Sequence, residues 1–398
     1  MIIEEAEYAH VRVLYPVRHR RKVPFNPSIL APPRFAERML ELQGLDRELD
    51  RFVIPRRDIL KLASDAFSSN IHFSSKVEGN PLTLEEVSRV ASDPFRGRVP
   101  EPLDESEREI VNHLIAFLDP QVFALPWSLD KVAEVHAILM GGLGEVAIPG
   151  MLRTSRSSVV SDQGQETFVT CPPEHIKEEM ESLLNWLNAS GPALHPIVAA
   201  SIFFHEFESI HPFDDGNGRT GRVLFHGYLQ THGLGNVNAC KVEAELLQDP
   251  EFYYRVLGWT DQSGQYQEFL DFVTDALSSA YHNAVQSFRE KDVLATGSSE
   301  TTRRILEMAR HETDWFSAHD ATLWVPNVSE QTIRNHLNIL VRKEVLESTG
   351  KTRAKVYRFS ASLRTALEFV RQYARPVSRS QAQAAAPAAE RGKEEHPP

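Results

Sequence analysis

Cysteine is nearly missing from this chain: Cys171 and Cys240 are the only two in 398 residues, and they stand far apart. That excludes a disulfide framework and any paired zinc-ligand spacing. No apolar run approaches the roughly 20 residues that cross a bilayer. The first residues carry Glu4 and Glu5 where a secretory leader has basic residues and an apolar core. These absences lead us to expect a soluble protein of the reducing cytoplasm with no membrane partner. Positive charge is also short: 43 Lys and Arg against 55 Asp and Glu give a net charge of −12. Wholesale coating of nucleic acid is thereby excluded. No internal repeat is visible. No Gly-Lys-Ser/Thr follows a glycine-rich loop, and the run from His205 to Ser209 lacks the second histidine of a zincin, so P-loop and zincin chemistry both drop out. Hydrophobic content of 41% and charged content of 25% are ordinary for globular domains, and the length suits two or three of them.

What is present is concentrated in His211-Pro-Phe-Asp-Asp-Gly-Asn-Gly-Arg-Thr-Gly-Arg222. Upstream, 196–210 has the apolar spacing of a buried helix, and helical character resumes at Thr220, so the segment between is a loop that opens a helix. Free N–H groups and the dipole at such an end favour an anion. Gly216 and Gly218 let backbone approach phosphate oxygens. Arg219 and Arg222, three apart, share a helical face and offer guanidinium forks. Asp215 is a hard oxygen ligand of the kind Mg²⁺ accepts beside phosphates. His211 has an ordinary pKa near 6.5 and can take a proton from a hydroxyl at neutral pH. Together these are the parts of a phosphoryl or nucleotidyl transfer site.

The twelve residues match, without departure, the H-P-F-x-[D/E]-G-N-G-R-x-x-R motif of Fic-domain proteins, and the chain resembles that family. The resemblance implies transfer of AMP from ATP to a Ser, Thr or Tyr hydroxyl of a target protein, with pyrophosphate leaving and Mg²⁺ assisting. It implies His211 as general base and Asp215 as metal ligand. Gly216, Asn217 and Gly218 become the anion hole, followed by Arg219, Thr220, Gly221 and Arg222 along the phosphates. Ile148–Arg153 resembles the approach to the family's β-hairpin flap. The flap itself, with target docking at Glu166, Thr167 and Phe168, lies within 166–174. Tyr253 and Tyr254 resemble a tyrosine pair bordering adenine.

Ser74 and Glu78 stand at i and i+4, on one helix face. Gly79, Asn80 and Pro81 then stop that helix, and Thr83 with Glu86 reads as a capping box opening the next. Beside the motif, Ser74, Glu78 and Gly79 resemble the inhibitory [S/T]-x-x-x-E-[G/N] sequence, N-terminal to the core as in class II Fic proteins. The resemblance implies that Glu78 pairs with Arg222 and keeps ATP out of a productive pose.

Residues 301–375 carry 13 Lys and Arg against 8 Asp and Glu within an acidic chain. Two helical patterns, 317–324 and 329–343, precede an alternating segment around Gly350-Lys351. This resembles a winged helix-turn-helix domain, with Arg334 and Asn335 on the recognition helix and Arg353 at the wing as DNA contacts. The expected organisation is a helical region over 1–100 holding the inhibitory helix at about 72–80, a catalytic core over 101–290, a linker at 291–300, the winged helix over 301–375 and a disordered tail at 376–398. The fold class is mostly α: a helical Fic fold with a small β-hairpin flap, plus an α+β winged helix. An autoinhibited adenylyltransferase is the leading reading. The alternatives are a nucleotide-sensing DNA-binding regulator and removal of AMP, or another phosphate-linked transfer, at the same site. Homodimerisation is left open.

Overall fold

The computed structural model describes Tyr8 and residues 10–29, 35–119, 125–144, 148–160, 164–292, 298–312, 314–351, 354–360 and 363–373. Its centre is a helical hairpin, α7 (Pro196–Ile210) and α8 (Asn217–Thr231), joined by the motif loop. Helix α7 is buried on almost all sides, as a helix surrounded by others must be, with a largely apolar surface: Phe203, Phe204 and Phe207 are each 0% exposed. Complete burial of each stabilises the fold by roughly 2–3 kcal/mol. Its start is set by Pro196 at the first turn and by the His195 side chain accepting from the Ile197 N–H.

Other helices wrap this hairpin. The sequence opens with β1 (Val17–Arg18), α1 (Phe35–Leu49), α2 (Arg56–Lys76) and α3 (Leu84–Ala91). Then come α4 (Glu105–Leu118), α5 (Leu129–Met140) and, beyond a hairpin, α6 (Pro173–Ala189). After α8 follow the short α9 (Val242–Leu246), α10 (Pro250–Ser263) and the long α11 (Gln267–Lys291). Helices α2, α4 and α5 pack on α8, α6 and α11 on α7, and α1 on α11. Both sides of the Thr83–Glu86 capping box are present at the start of α3.

The hairpin, β2 (Ser158–Val160) and β3 (Glu166–Val169), has a third strand that sequence reasoning did not foresee. β1 runs parallel to β3, pairing Val17 with Phe168 and Arg18 with Val169, in the order β1-β3-β2. The N-terminal strap is anchored behind the sheet. The His19 ring lies 2.9 Å from both Glu179 Oε2 on α6 and Ser209 Oγ on α7, and Ser209 donates to Asp261 Oδ1 at 2.7 Å.

The C-terminal unit comprises α12 (Glu300–Ala309), β4 (Phe316–Ser317), α13 (Ala318–Trp324), α14 (Glu330–Arg342), β5 (Leu346–Thr349), β6 (Val356–Phe359) and α15 (Leu363–Arg371). Its antiparallel sheet has the order β4-β6-β5. The unit sits on α2: the Arg56 N–H donates to Glu344 O at 3.0 Å, and the Arg56 guanidinium lies 4.7 Å from the Phe369 ring centre. Among the described residues no helix is long and apolar enough to cross a membrane. The expected tail, residues 293–297 of the expected linker and Arg353 lie outside the described residues.

Candidate active site

Helix α7 ends with His211 in the left-handed region, φ 54° and ψ 62°, its N–H donating to Phe207 O at 2.9 Å. For a residue with a Cβ that conformation costs about 1–2 kcal/mol, so its surroundings must impose it. Arg153 does so. Only 2% exposed, it donates from Nε to His211 O at 2.7 Å and from Nη2 to Ile210 O at 3.2 Å, Thr170 Oγ1 at 2.9 Å and Cys171 O. The last carbonyls of α7, which no helical N–H can reach, are thereby satisfied.

The imidazole of His211 has its Nδ1 3.3 Å from Glu208 O. A carbonyl only accepts, so Nδ1 carries the proton and Nε2 keeps its lone pair. Burial pulls the pKa below 6.5, outweighing the nearby Glu78 carboxylate, which acts in the opposite sense. The result is a neutral base at neutral pH.

Helix α8 begins at Asn217, three residues before the start the sequence suggested, because Gly216 takes φ 77° and caps it. A Cβ on Gly216 would also lie 2.6 Å from Met140 Sδ. The polar side chains that follow are occupied within the loop. Asn217 Oδ1 accepts from Phe213 N at 2.9 Å while its Nδ2 donates to Phe213 O at 2.8 Å, and Thr220 Oγ1 donates to Gly216 O at 2.7 Å. What Asn217 and Thr220 offer an anion is therefore the backbone at the opening of α8, not their side chains. Gly221 faces α7 instead: a Cβ there would stand 2.5 Å from Glu208 Oε1 and 3.0 Å from the Phe204 ring.

His136 on α5, not singled out from the sequence, holds the loop from below. Its Nδ1 accepts from Gly150 N and its Nε2 donates to Asp215 O, both at 2.9 Å, with its ring stacked on Phe213 at 3.8 Å. Burial lowers its pKa to about 4, so it remains neutral and its tautomer is set by these two bonds.

Arg219, 4% exposed, lies 3.1 Å from Asp215 Oδ2 and 3.2 Å from Glu109 Oε1. Arg222, 1% exposed, donates from Nε to Ser74 Oγ at 2.7 Å, and from Nη2 to Ser74 O at 3.0 Å and Glu78 Oε1 at 2.6 Å. Helix α2 stops at Lys76, so Glu78 lies in the turn beyond it, where Gly79 takes φ 96°; the pair is not on one continuous helix face. Both nonetheless converge on one guanidinium. A cavity of about 270 Å³ opens here, lined by Glu78, Glu105, Glu109, Met140, Asp215 and Arg219 among others. Asp215, with its side chain 39% exposed, is the carboxylate of the motif that borders it. Asp215, with Glu78, Glu105 and Glu109 lining the same cavity, provides hard oxygen donors of the kind that suit Mg²⁺.

The remaining residues are placed unevenly. Tyr253 is 1% exposed, its Oη without a partner among the described residues, whereas Tyr254 is 42% exposed. Glu166, Thr167 and Phe168 form β3, the central strand of its sheet. At Phe168 both edges are taken, by Val17 and by Val159: the expected β-hairpin is present as β2 and β3, with β1 added as a third strand. Arg334 is tied to Glu330 at 2.5 Å, while Asn335 stays exposed.

The sequence profile of the Fic/DOC family matches residues 126–229. A Nematostella vectensis protein adenylyltransferase Fic is 27% identical over 238 residues, 58% of this chain and 52% of that one. A uridine 5′-monophosphate transferase of Xanthomonas campestris is 32% identical over 120 residues, 27% of this chain and 22% of its own length. The chain thus spans about half or less of these relatives. The crystal structure of a Fic family protein from Desulfovibrio desulfuricans G20 superposes with a TM-score of 0.56 at 24% identity, covering 85% of this chain and 99% of that one. That likeness establishes a shared fold. The twelve-residue motif, intact between α7 and α8, lies inside residues 126–229, the span of this chain that matches the Fic/DOC family.

Proposed function

We propose that the protein is an autoinhibited adenylyltransferase that moves AMP from ATP to a hydroxyl side chain of a target protein. The observation that carries this reading is His211, whose Nδ1–H points to Glu208 O and whose Nε2 is left as a base beside the amide-lined start of α8. In the reaction, the hydroxyl oxygen attacks the α-phosphorus and its proton passes to His211 Nε2. The bond from the α-phosphorus to the oxygen bridging the β-phosphate breaks, and pyrophosphate leaves. The N–H groups opening α8 meet the charge that grows on the transferred group. Asp215 would hold Mg²⁺, which when bound neutralises phosphate charge. Arg219 and Arg222 take the outer phosphates, as guanidinium forks do.

The contact of Arg222 with Ser74 and Glu78 supports the inhibition. One guanidinium cannot serve a carboxylate and a terminal phosphate equally, so Glu78 excludes the productive pose. Intact-mass spectrometry of wild type, Glu78→Gly and Glu78→Gly/His211→Ala after incubation with Mg²⁺ and ATP tests both parts. An AMP adduct on the protein or an added target, confined to Glu78→Gly, is the expected result. Equal labelling of wild type would overturn the inhibition, and labelling of the double mutant would overturn the base. A UMP adduct with UTP instead would reassign the donor.

A second role, DNA contact by the C-terminal unit as a winged helix, is favoured by α14, which leaves Gln331, Thr332, Asn335 and Arg342 exposed. Binding to a duplex should weaken steeply with salt, by fluorescence anisotropy, and Asn335→Ala should reduce discrimination between sequences. Affinity that ignores salt would remove this role and leave the transferase intact.

A further inference from the structure

The backbone carbonyl of Glu208 sets the His211 tautomer, but its carboxyl belongs to none of the roles above. It sits on α7 one turn before His211, and its carboxyl reaches across to α8: the space a Cβ on Gly221 would fill is occupied by Glu208 Oε1. That oxygen is buried and has no hydrogen-bond partner among the described residues. A buried polar atom left unmatched in an otherwise paired site calls for an explanation. The next residue along α8 is Arg222, whose bonds to Ser74 and Glu78 leave from Nε and Nη2. Tyr253 approaches from α10, its Oη also buried and unmatched.

We propose that Glu208 is a positioning residue for Arg222: a third claimant on its guanidinium, neutral while Glu78 or a terminal phosphate holds that guanidinium and ionised when neither does. This rests on the transferase reading, because it presumes that ATP is the ligand that displaces Glu78. The charged and titratable groups acting on Glu208 are Arg222 from α8, Glu78 from the turn after α2 and His205 from α7. Burial raises its pKa to about 8; Arg222 lowers it, Glu78 raises it, and His205 lowers it. Two carboxylates cannot both be compensated by a single buried cation, so one of them keeps its proton. With Glu78 withdrawn, only the lowering influence of Arg222 remains from that pair, and Glu208 ionises at lower pH.

The linkage follows in sign. The nucleotide-bound state, with a phosphate where Glu78 stood, holds Glu208 at the higher pKa and so binds more protons than the free state. ATP association takes up a proton, and affinity falls as pH rises from the free-state pKa to the bound-state pKa. A single proton limits the slope to about tenfold per pH unit. Tyr253, whose pKa lies well above 10 through burial and the neighbouring Glu208, stays neutral across this range.

The test is calorimetric titration of Mg²⁺–ATP into the full chain carrying Glu78→Gly and His211→Ala, which prevents turnover and removes the titrating imidazole. The range runs from about pH 6.5 to 9.5, in buffers of differing ionisation enthalpy. We expect proton uptake on binding and a Kd that weakens by up to about tenfold per pH unit, both abolished by adding Glu208→Gln, which keeps the shape and removes the charge. A purely structural role for Glu208 would change Tm without changing the pH slope. A Kd independent of pH without proton uptake overturns the proposal, even if the Gln variant fails to fold. An unchanged slope in a folded Gln variant overturns it equally. Absence of any ATP binding would overturn the transferase reading itself, and this inference with it.

Discussion

His211 and Arg222 differ in how their state is set. His211 is tuned by burial, so its base form is present above a pKa that lies below 6.5. Transfer by Glu78→Gly should therefore rise with pH through the acidic range and level off before neutrality, read as kcat from about pH 5 to 7. His211→Ala in that background should reduce kcat by about 10²–10⁴-fold while ATP still binds, separable by turnover and Kd measurements. Arg222 is tuned by partners: burial disfavours its charge, but the Glu78 carboxylate, first among the opposing influences, holds its pKa above the usual value. Loss of Glu78 removes a charge-assisted hydrogen bond worth about 1.5–3 kcal/mol. Without nucleotide, Glu78→Gly should thus melt below wild type. Saturating Mg²⁺–ATP should raise its Tm more than that of wild type, because only there is the guanidinium free.

At the scale of elements, the motif loop works because three helices meet beneath it. Gly221 allows α7 and α8 to approach closely enough for Glu208 to lie between them. Gly221→Ala sets two effects against each other. Helix propensity favours Ala by about 1 kcal/mol, but a Cβ 2.5 Å from Glu208 Oε1 and 3.0 Å from Phe204 is overpacking, which costs about 1–3 kcal/mol. Because Phe204 is fully buried and cannot retreat, we expect net destabilisation in urea unfolding. The capping box of α3 is a simpler case: Thr83→Ala removes the oxygen that accepts from Glu86 N, with a loss of about 1 kcal/mol expected in the same assay. Some helix starts were legible because caps announce them: Ser329 accepts from the Thr332 N–H where α14 begins, whereas the equivalent caps at Ser128 and Ser299 were not read from the sequence. The start of α8 was misplaced because glycine caps by conformation, which leaves no side-chain signature.

Across the whole molecule, α2 is the connecting member. Its N-terminal turn holds Glu344 and Phe369 of the C-terminal unit, while its far end presents Ser74 to Arg222. Arg56→Ala should remove the stacking on Phe369, worth about 0.5–1 kcal/mol at a partly exposed site. Faster amide exchange in the first turn of α2 and in α15 would be its signature, with the Ser74 end unchanged. The N-terminal strap has a comparable reach. By pairing β1 with Phe168 and Val169 it covers that half of the β3 edge, so a target strand adding at this edge would have to do so at Glu166 and Thr167, which β1 does not pair.

The chemistry of the loop was readable from the sequence because His211 to Arg222 lie within twelve consecutive positions, and their residue types have few joint uses. The helix succession was readable for a related reason, since apolar spacing and capping are local properties. Tertiary structure alone decided which distant groups surround that loop. Arg153, His136, Glu109 and Glu208 come from four elements or loops and carry no local pattern, yet they set the backbone, the tautomer and the charges of the site. Ser74 and Glu78 meet Arg222 across more than 140 residues of sequence, a pairing with Glu78 that the resemblance of the motifs implied but whose geometry the packing supplies. Such contacts depend on packing between helices, and no short-range signal encodes them.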